Sequence, residues 1–219
     1  MSENFEIARK NMVVNQLRPN KIKEENILNL FKIVPKENYL NINLKKNCYL
    51  DKNLDLNSKR GYLKNLHLAQ LIKYSQINED DKVLHIGGLT GYFSVLLSLM
   101  CKDLYVIEDD SNLFNALENN ILNSGRSNIK LYKNKLIDGW QLESPFNLII
   151  IDGPIFRLNK NLKDQISDNS GRLVYIKKIN DNLSKAYKLV RNGNLYSSEF
   201  LFDVMTKYQI QDKEREFNF

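Results

Sequence analysis

Val83-Leu84-His85-Ile86-Gly87-Gly88-Leu89-Thr90-Gly91-Tyr92 is the stretch on which the fold reading turns. A short apolar run meets three glycines within five positions, and a helical pattern, Gly91–Met100, follows. That order is a strand, a tight turn and a helix start. Where Cβ atoms are missing, the backbone can turn sharply and let a ligand approach its N–H groups. The unpaired donors and dipole of the following helix favour a negatively charged group. For a dinucleotide that group is pyrophosphate; for S-adenosylmethionine it is the amino-acid end. Glu108 follows Gly87 by 21 positions, at the end of the next apolar run. A carboxylate there can accept hydrogen bonds from ribose hydroxyls. Gly87, Gly88, Gly91 and Glu108 are therefore candidate cofactor-binding residues, with a structural turn and a solvated strand end as the alternatives.

Outward from this turn, apolar runs of strand length alternate with helical patterns between about residues 66 and 176, which is how a βαβ series reads. The predicted strands are Lys82–Ile86, Leu104–Ile107, Ile129–Tyr132, Leu148–Ile151 and Leu173–Ile176; the predicted helices are Gly91–Met100, Asn112–Asn123 and Leu158–Gln165. Continuous apolar runs suit strands covered on both faces, as in a parallel sheet. Lys185–Arg191 and Asn194–Phe202 flank Asn192-Gly193, a strong hairpin signal. A parallel series finished by an antiparallel hairpin gives an α/β class: a Rossmann-like, class I S-adenosylmethionine-dependent methyltransferase sheet, mostly parallel with a C-terminal antiparallel hairpin. Residues 1–65 read as irregular apart from a helix over Lys23–Phe31, punctuated by Pro19 and Pro35. The expected organisation is a single domain over 1–219, with 1–65 as an N-terminal extension packed on a 66–219 α/β core.

Composition narrows the setting. Of 219 residues, 42% are hydrophobic and 26% charged, which excludes a wholly disordered chain. No apolar run approaches the roughly 20 residues that cross a bilayer, and the acidic N-terminus is unlike a secretory signal. Hence no membrane association is expected. The net charge of +6 comes from lysines scattered among acids, in pairs at most, which argues against a nucleic-acid footprint. Two cysteines in unrelated contexts and two histidines make no metal spacing, and fit a reduced, cytoplasmic protein.

Several further pieces occur in order: Arg9-Lys-Asn-Met12-Val13-Val-Asn-Gln16-Leu17-Arg18-Pro19, Val34-Pro35-Lys36-Glu37-Asn-Tyr39-Leu40, Tyr49-Leu-Asp51 with Leu54-Asp-Leu56, Gly139-Trp140, Pro145-Phe146-Asn147 and Gly171-Arg172-Leu173-Val174. With the glycine turn, they resemble the protein-L-isoaspartate O-methyltransferase family over nearly the whole chain, in a divergent bacterial form. The resemblance implies S-adenosylmethionine as cofactor, isoaspartyl residues of damaged proteins or peptides as methyl acceptor, and a role in protein repair.

Carried residue by residue, it also exposes departures. The family's loop reads acid-Ile-Gly-Thr-Gly-Ser-Gly-Tyr; here His85 stands at the acidic place and Leu89 at the middle glycine. Gly88 is placed to shift the close approach by one residue. His85 is either a donor to the ligand's carboxylate or a satisfied core histidine. The carboxylate that would meet the adenine amino group is replaced by Lys135, which has donors only. The family's Thr-x-Ser element falls on Gly61, Tyr62 and Leu63, so Leu63 stands where a serine would hold the acceptor. The resemblance places Asp51 on the acceptor side as well.

Ile149-Ile150-Ile151-Asp152-Gly153-Pro154 offers another acceptor chemistry. Asp152 ends a predicted strand at the rim where open α/β sheets put ligands, and the Gly-Pro turn is expected to expose it. A carboxylate there can hold an acceptor or take its proton; the alternative is a loop cap. Three functions stay open: an isoaspartyl methyltransferase, a methyltransferase of the same fold with another acceptor, and a non-catalytic binding protein.

Overall fold

A computed structural model describes residues 4–211. The chain runs α1 (Phe5–Met12), α2 (Glu25–Ile33), α3 (Ile42–Lys45), β1 (Leu54–Asp55), β2 (Gly61–Tyr62), α4 (Asn65–Ser75), β3 (Lys82–Ile86), α5 (Tyr92–Ser98), β4 (Asp103–Glu108) and α6 (Ser111–Ser124). It continues through β5 (Ile129–Lys133), β6 (Leu148–Ile155), α7 (Lys160–Asp164), β7 (Asn169–Lys178), β8 (Leu183–Asn192) and β9 (Leu195–Met205).

The seven larger strands form one sheet in the order β5-β4-β3-β6-β7-β8-β9. Pairing is parallel from β5 to β7 and antiparallel for β8 and β9. Alternation along the strands sorts side chains to two faces. Val83, Val106 and Ile150 join one buried cluster, with Leu68, Leu96 and Leu117 from the helices. Leu84, Ile107 and Ile149 join another, with Phe146 and Leu162. Burial on both faces explains why the central strands read as unbroken apolar runs. β3 and β6 are adjacent and parallel, as are β3 and β4. The ends carrying Gly87, Glu108 and Asp152 therefore meet on one rim.

Two expectations need correction. Residues before 65 are largely helical: α1 starts on Asn4, whose side chain accepts from Ile7 N, and a π-helical turn continues it over Val13–Leu17. Met12, Val13 and Leu17 are buried in the same cluster as the sheet. The π turn shifts the spacing that would otherwise signal a helix. The hairpin loop is Gly193-Asn194, one residue later than read, since Asn192 pairs with Leu195. Of the two loop residues only Gly193 has positive φ, which matches a II′ turn. No helix among the described residues is long and apolar enough to cross a membrane.

Lys36 shows how tightly the N-terminal segment is packed. It is 1% exposed, its Nζ lies 2.8 Å from Asn65 Oδ1, and the rings of Tyr62 and Tyr92 lie 5.1 and 5.2 Å away. Burial pushes the Lys36 amine down to about 7. Between that value and the ordinary lysine range, the unfolded chain binds a proton that the folded chain does not. The parent should therefore gain stability over Lys36→Met from pH 7 to 10, by about 1.4 kcal/mol per pH unit, with no trend below pH 7. Paired denaturant titrations across that range check it.

Candidate functional site

The rim where β3, β4 and β6 end carries the glycine turn. Gly87 and Gly91 adopt φ of +91° and +99°, conformations that a side chain would strain. The N–H groups of Gly87 and Gly88 both donate to Ile107 O, at 2.9 and 3.2 Å, so the turn is stitched to β4. Gly88 does not provide the close approach. A Cβ there would lie 2.6 Å from Val106 and 2.8 Å from Leu117, so its bare Cα lets β4 and α6 pack. Leu89 takes φ +51°, an unusual conformation for a leucine, and its N–H donates to Glu108 Oε2 at 2.9 Å.

Glu108 has no exposure, and every acceptor position it offers is taken. Oε1 accepts from Arg60 Nη1, Asp109 N and Asp110 N at 3.2, 3.0 and 3.1 Å. Oε2 accepts from Arg60 Nη2 at 2.8 Å and from Leu89 N. A carboxylate has about four lone-pair sites, fewer than these donors. Burial raises the Glu108 carboxyl, and the Arg60 guanidinium leads the opposing effects. Arg60 is 7% exposed and also reaches Asp109 Oδ1 at 3.4 Å. A Cβ at residue 87 would lie 3.2 Å from Arg60 Nη2 and 3.7 Å from Asp152 Oδ1. The guanidinium thus stands in front of Gly87, where the sequence leads one to expect a ligand.

Arg60 arrives from the small β1–β2 hairpin. Asn57 Oδ1 accepts from Arg60 N and Lys59 N, at 2.7 and 3.0 Å, and fixes the loop. Tyr62, from the same hairpin, has its hydroxyl 2.9 Å from Thr90 Oγ1 and accepts from Tyr92 N at 3.0 Å. The chain after β9 locks this hairpin down: Tyr208 OH donates to Asp55 Oδ1, Gln209 N to Lys59 O, and Ile210 N to Pro154 O. Gly61 belongs to that packing. A Cβ there would overlap Leu54 O and come within 2.6 Å of the Tyr208 ring, so the family's threonine does not fit here.

The remaining candidates are dispersed in depth. Asp152 is 5% exposed, because β6 continues through a bulge to Ile155 and Ile210 packs against Gly153; the expected exposing turn is absent. His85 is fully buried. Its Nδ1 is 2.9 Å from Ser94 Oγ, its ring meets Phe93 edge-on, and Nε2 lies 3.4 Å from Asp152 Oδ1 without hydrogen-bond alignment. Leu63 is 1% exposed within the main core cluster. Asp51 is exposed and pairs with Lys64 at 3.3 Å. Lys135 is exposed at the N-cap of a single 3₁₀ turn. Arg60, Tyr62 and the 206–211 segment are the residues that sequence reasoning missed.

In kind and place, the glycine turn and Glu108 fit an adenosyl group; the carboxylate's capacity is filled by Arg60. Removing one partner of such a buried pair should be severe. Glu108→Ala should cost about 3–5 kcal/mol, and Arg60→Met/Glu108→Met should recover only the part due to the unpaired guanidinium, because the N–H groups of Leu89, Asp109 and Asp110 still lose their acceptor. Urea denaturation of the single and double variants measures both.

The comparisons bear on the family and the fold. The family profile described as Protein-L-isoaspartate(D-aspartate) O-methyltransferase matches residues 8–201. Protein-L-isoaspartate O-methyltransferase 1 of Syntrophobacter fumaroxidans is 26% identical over 190 residues, 87% of each chain. Protein-L-isoaspartate O-methyltransferase 2 of Shewanella sediminis is 26% identical over 215 residues, 96% of this chain and 88% of that one. A Plasmodium falciparum structure assigned to the same activity, in complex with S-adenosyl-L-homocysteine, superposes with a TM-score of 0.76 at 16% identity. It covers 95% of this chain and 98% of its own, and shares the fold. On the extent of the profile match, the chain belongs to the protein-L-isoaspartate(D-aspartate) O-methyltransferase family.

Proposed function

We propose that the protein is an S-adenosylmethionine-dependent methyltransferase acting on the carboxylate of isoaspartyl residues in damaged proteins or peptides. The observation that carries this reading is the pairing of the Gly87 turn with Glu108 on adjacent strand ends, in a chain matched by the family over residues 8–201. Bound S-adenosylmethionine supplies a methyl group activated by a sulfonium. In this reading Glu108 is the acceptor for ribose hydroxyls, and the missing Cβ of Gly87 takes one side chain out of the approach to it. Behind Gly87, Asp152 Oδ1 lies 3.7 Å from where a Cβ would be, and His85 Nε2 is 3.4 Å from the same oxygen.

The chemistry asks little of the acceptor side. A carboxylate with a reference pKa of about 4 is already a nucleophile at neutral pH, so no general base is required. Alignment and exclusion of water can supply roughly 7–11 kcal/mol. Leu63 cannot orient the acceptor, but it keeps its surroundings dry. The reading takes the chain as one domain, with the hairpin and the 206–211 segment shaping the acceptor side.

The test is transfer of labelled methyl to an isoaspartyl peptide and to its aspartyl isomer. Labelling of the isoaspartyl peptide alone is expected. Leu63→Ser should lower the melting temperature, since it takes buried apolar atoms out of the main core cluster and leaves a hydroxyl there. Labelling of neither peptide, with S-adenosylhomocysteine bound, would overturn the acceptor assignment.

A further inference from the structure

Arg60 occupies the position that the function requires of a ligand. Its two terminal nitrogens take one oxygen each of Glu108, and Nη2 stands 3.2 Å from where a Gly87 Cβ would be. With Leu89, Asp109 and Asp110 donating as well, Glu108 has no acceptor position left for ribose hydroxyls. We propose that Arg60 is an internal competitor of the nucleoside, an affinity-setting residue that must leave Glu108 before an adenosyl ligand can bind. The proposal rests on the cofactor reading above and adds to it a residue of this chain.

The structure supplies the place to which Arg60 withdraws. Outside it lies a cavity of about 410 Å³ lined by Asn57–Arg60, Asp109, Asp110 and Gln209–Gln211. Asp109 is already within 3.4 Å of Nη1, and its side chain is 42% exposed. The guanidinium can therefore pass from a buried carboxylate to an outer one without losing ionic partners. Its displacement leaves Glu108 with three backbone donors, Leu89, Asp109 and Asp110, and with room for hydroxyls on the side that Arg60 has left.

Such competition lowers the apparent affinity by the fraction of molecules in which Arg60 has withdrawn. Removal of the side chain should thus tighten binding, the opposite of what loss of a ligand contact would do. Isothermal titration calorimetry with S-adenosylhomocysteine, and with adenosine, compares the parent with Arg60→Met. At least a tenfold lower Kd is expected for both ligands, since the competition is on the ribose side. Asn57→Ala, which frees the loop without touching Glu108, should tighten binding by a smaller factor, and it decides the matter alone if Arg60→Met does not fold. Equal or weaker binding by the folded variants, with the parent binding, would overturn the role of Arg60 and leave the cofactor reading intact. No binding by parent or variants would overturn the cofactor reading, and the proposal with it.

Discussion

The buried pair between Arg60 and Glu108 is the interaction through which the rim of the sheet is organised. Glu108 closes β4, and its oxygens hold the N–H groups of Leu89, Asp109 and Asp110. It thereby fixes the glycine turn on one side and the entry to α6 on the other. Asp110 then caps α6 by accepting from Asn112 N and Leu113 N. Arg60 adds the β1–β2 hairpin to the same network. Taking both charges out of water costs several kcal/mol each, and only close geometry with further hydrogen bonds recovers that cost. Five donors on one carboxylate are such a geometry. They also tether Leu89 at its positive φ, through the bond from its N–H to a charged acceptor.

Most of the sheet was legible because its signals are local. Lys82–Ile86 coincides with β3, and each of the other four predicted runs lies inside an observed strand. The hairpin at Gly193 was legible for the same reason. α1 was not, because it is eight residues long and only Met12 of Phe5–Met12 is buried, and the π turn over Val13–Leu17 that follows does not continue an α-helical spacing. Gly87, Gly91 and Glu108 carried their positions in the sequence. Arg60 did not: it sits 48 residues from Glu108, in a polar stretch, Asn57-Ser-Lys-Arg60, that reads as a solvated loop. Contacts of that separation have no periodicity to betray them. The burial of Asp152 was hidden likewise, since it depends on Ile210 reaching Gly153.

The departures from the family's motifs look less like decay once they are placed in space. A histidine at the acidic place of the loop faces a carboxylate from the neighbouring strand, His85 Nε2 to Asp152 Oδ1 at 3.4 Å, so one acid remains at that depth. The glycine at 61 matches the hairpin carbonyl of Leu54 and the ring of Tyr208, neither of which leaves room for a Cβ. Leu63 completes a core that already contains Tyr62 and Leu66. These three substitutions are each paired with a neighbour that suits them. The exchange is therefore of one consistent packing for another, which is what a folded, stable variant of a site requires.

That exchange is one the chemistry can accommodate. Methyl transfer to a carboxylate needs no proton moved by the protein and no charge created beyond that of the reactants; it needs two groups held in line in a dry place. A site of this kind tolerates the loss of an orienting hydroxyl far better than it tolerates a wrong occupant. In this chain Leu63 has no polar atom at the place of the family's serine, while the rim beside Glu108 is strongly built: Arg60 on Glu108, Asn57 under the loop, and Tyr208 to Gln211 across the top. Such a distribution puts the interactions of the rim into holding Glu108 and its hairpin in place, the part of the site on which alignment in a dry place depends.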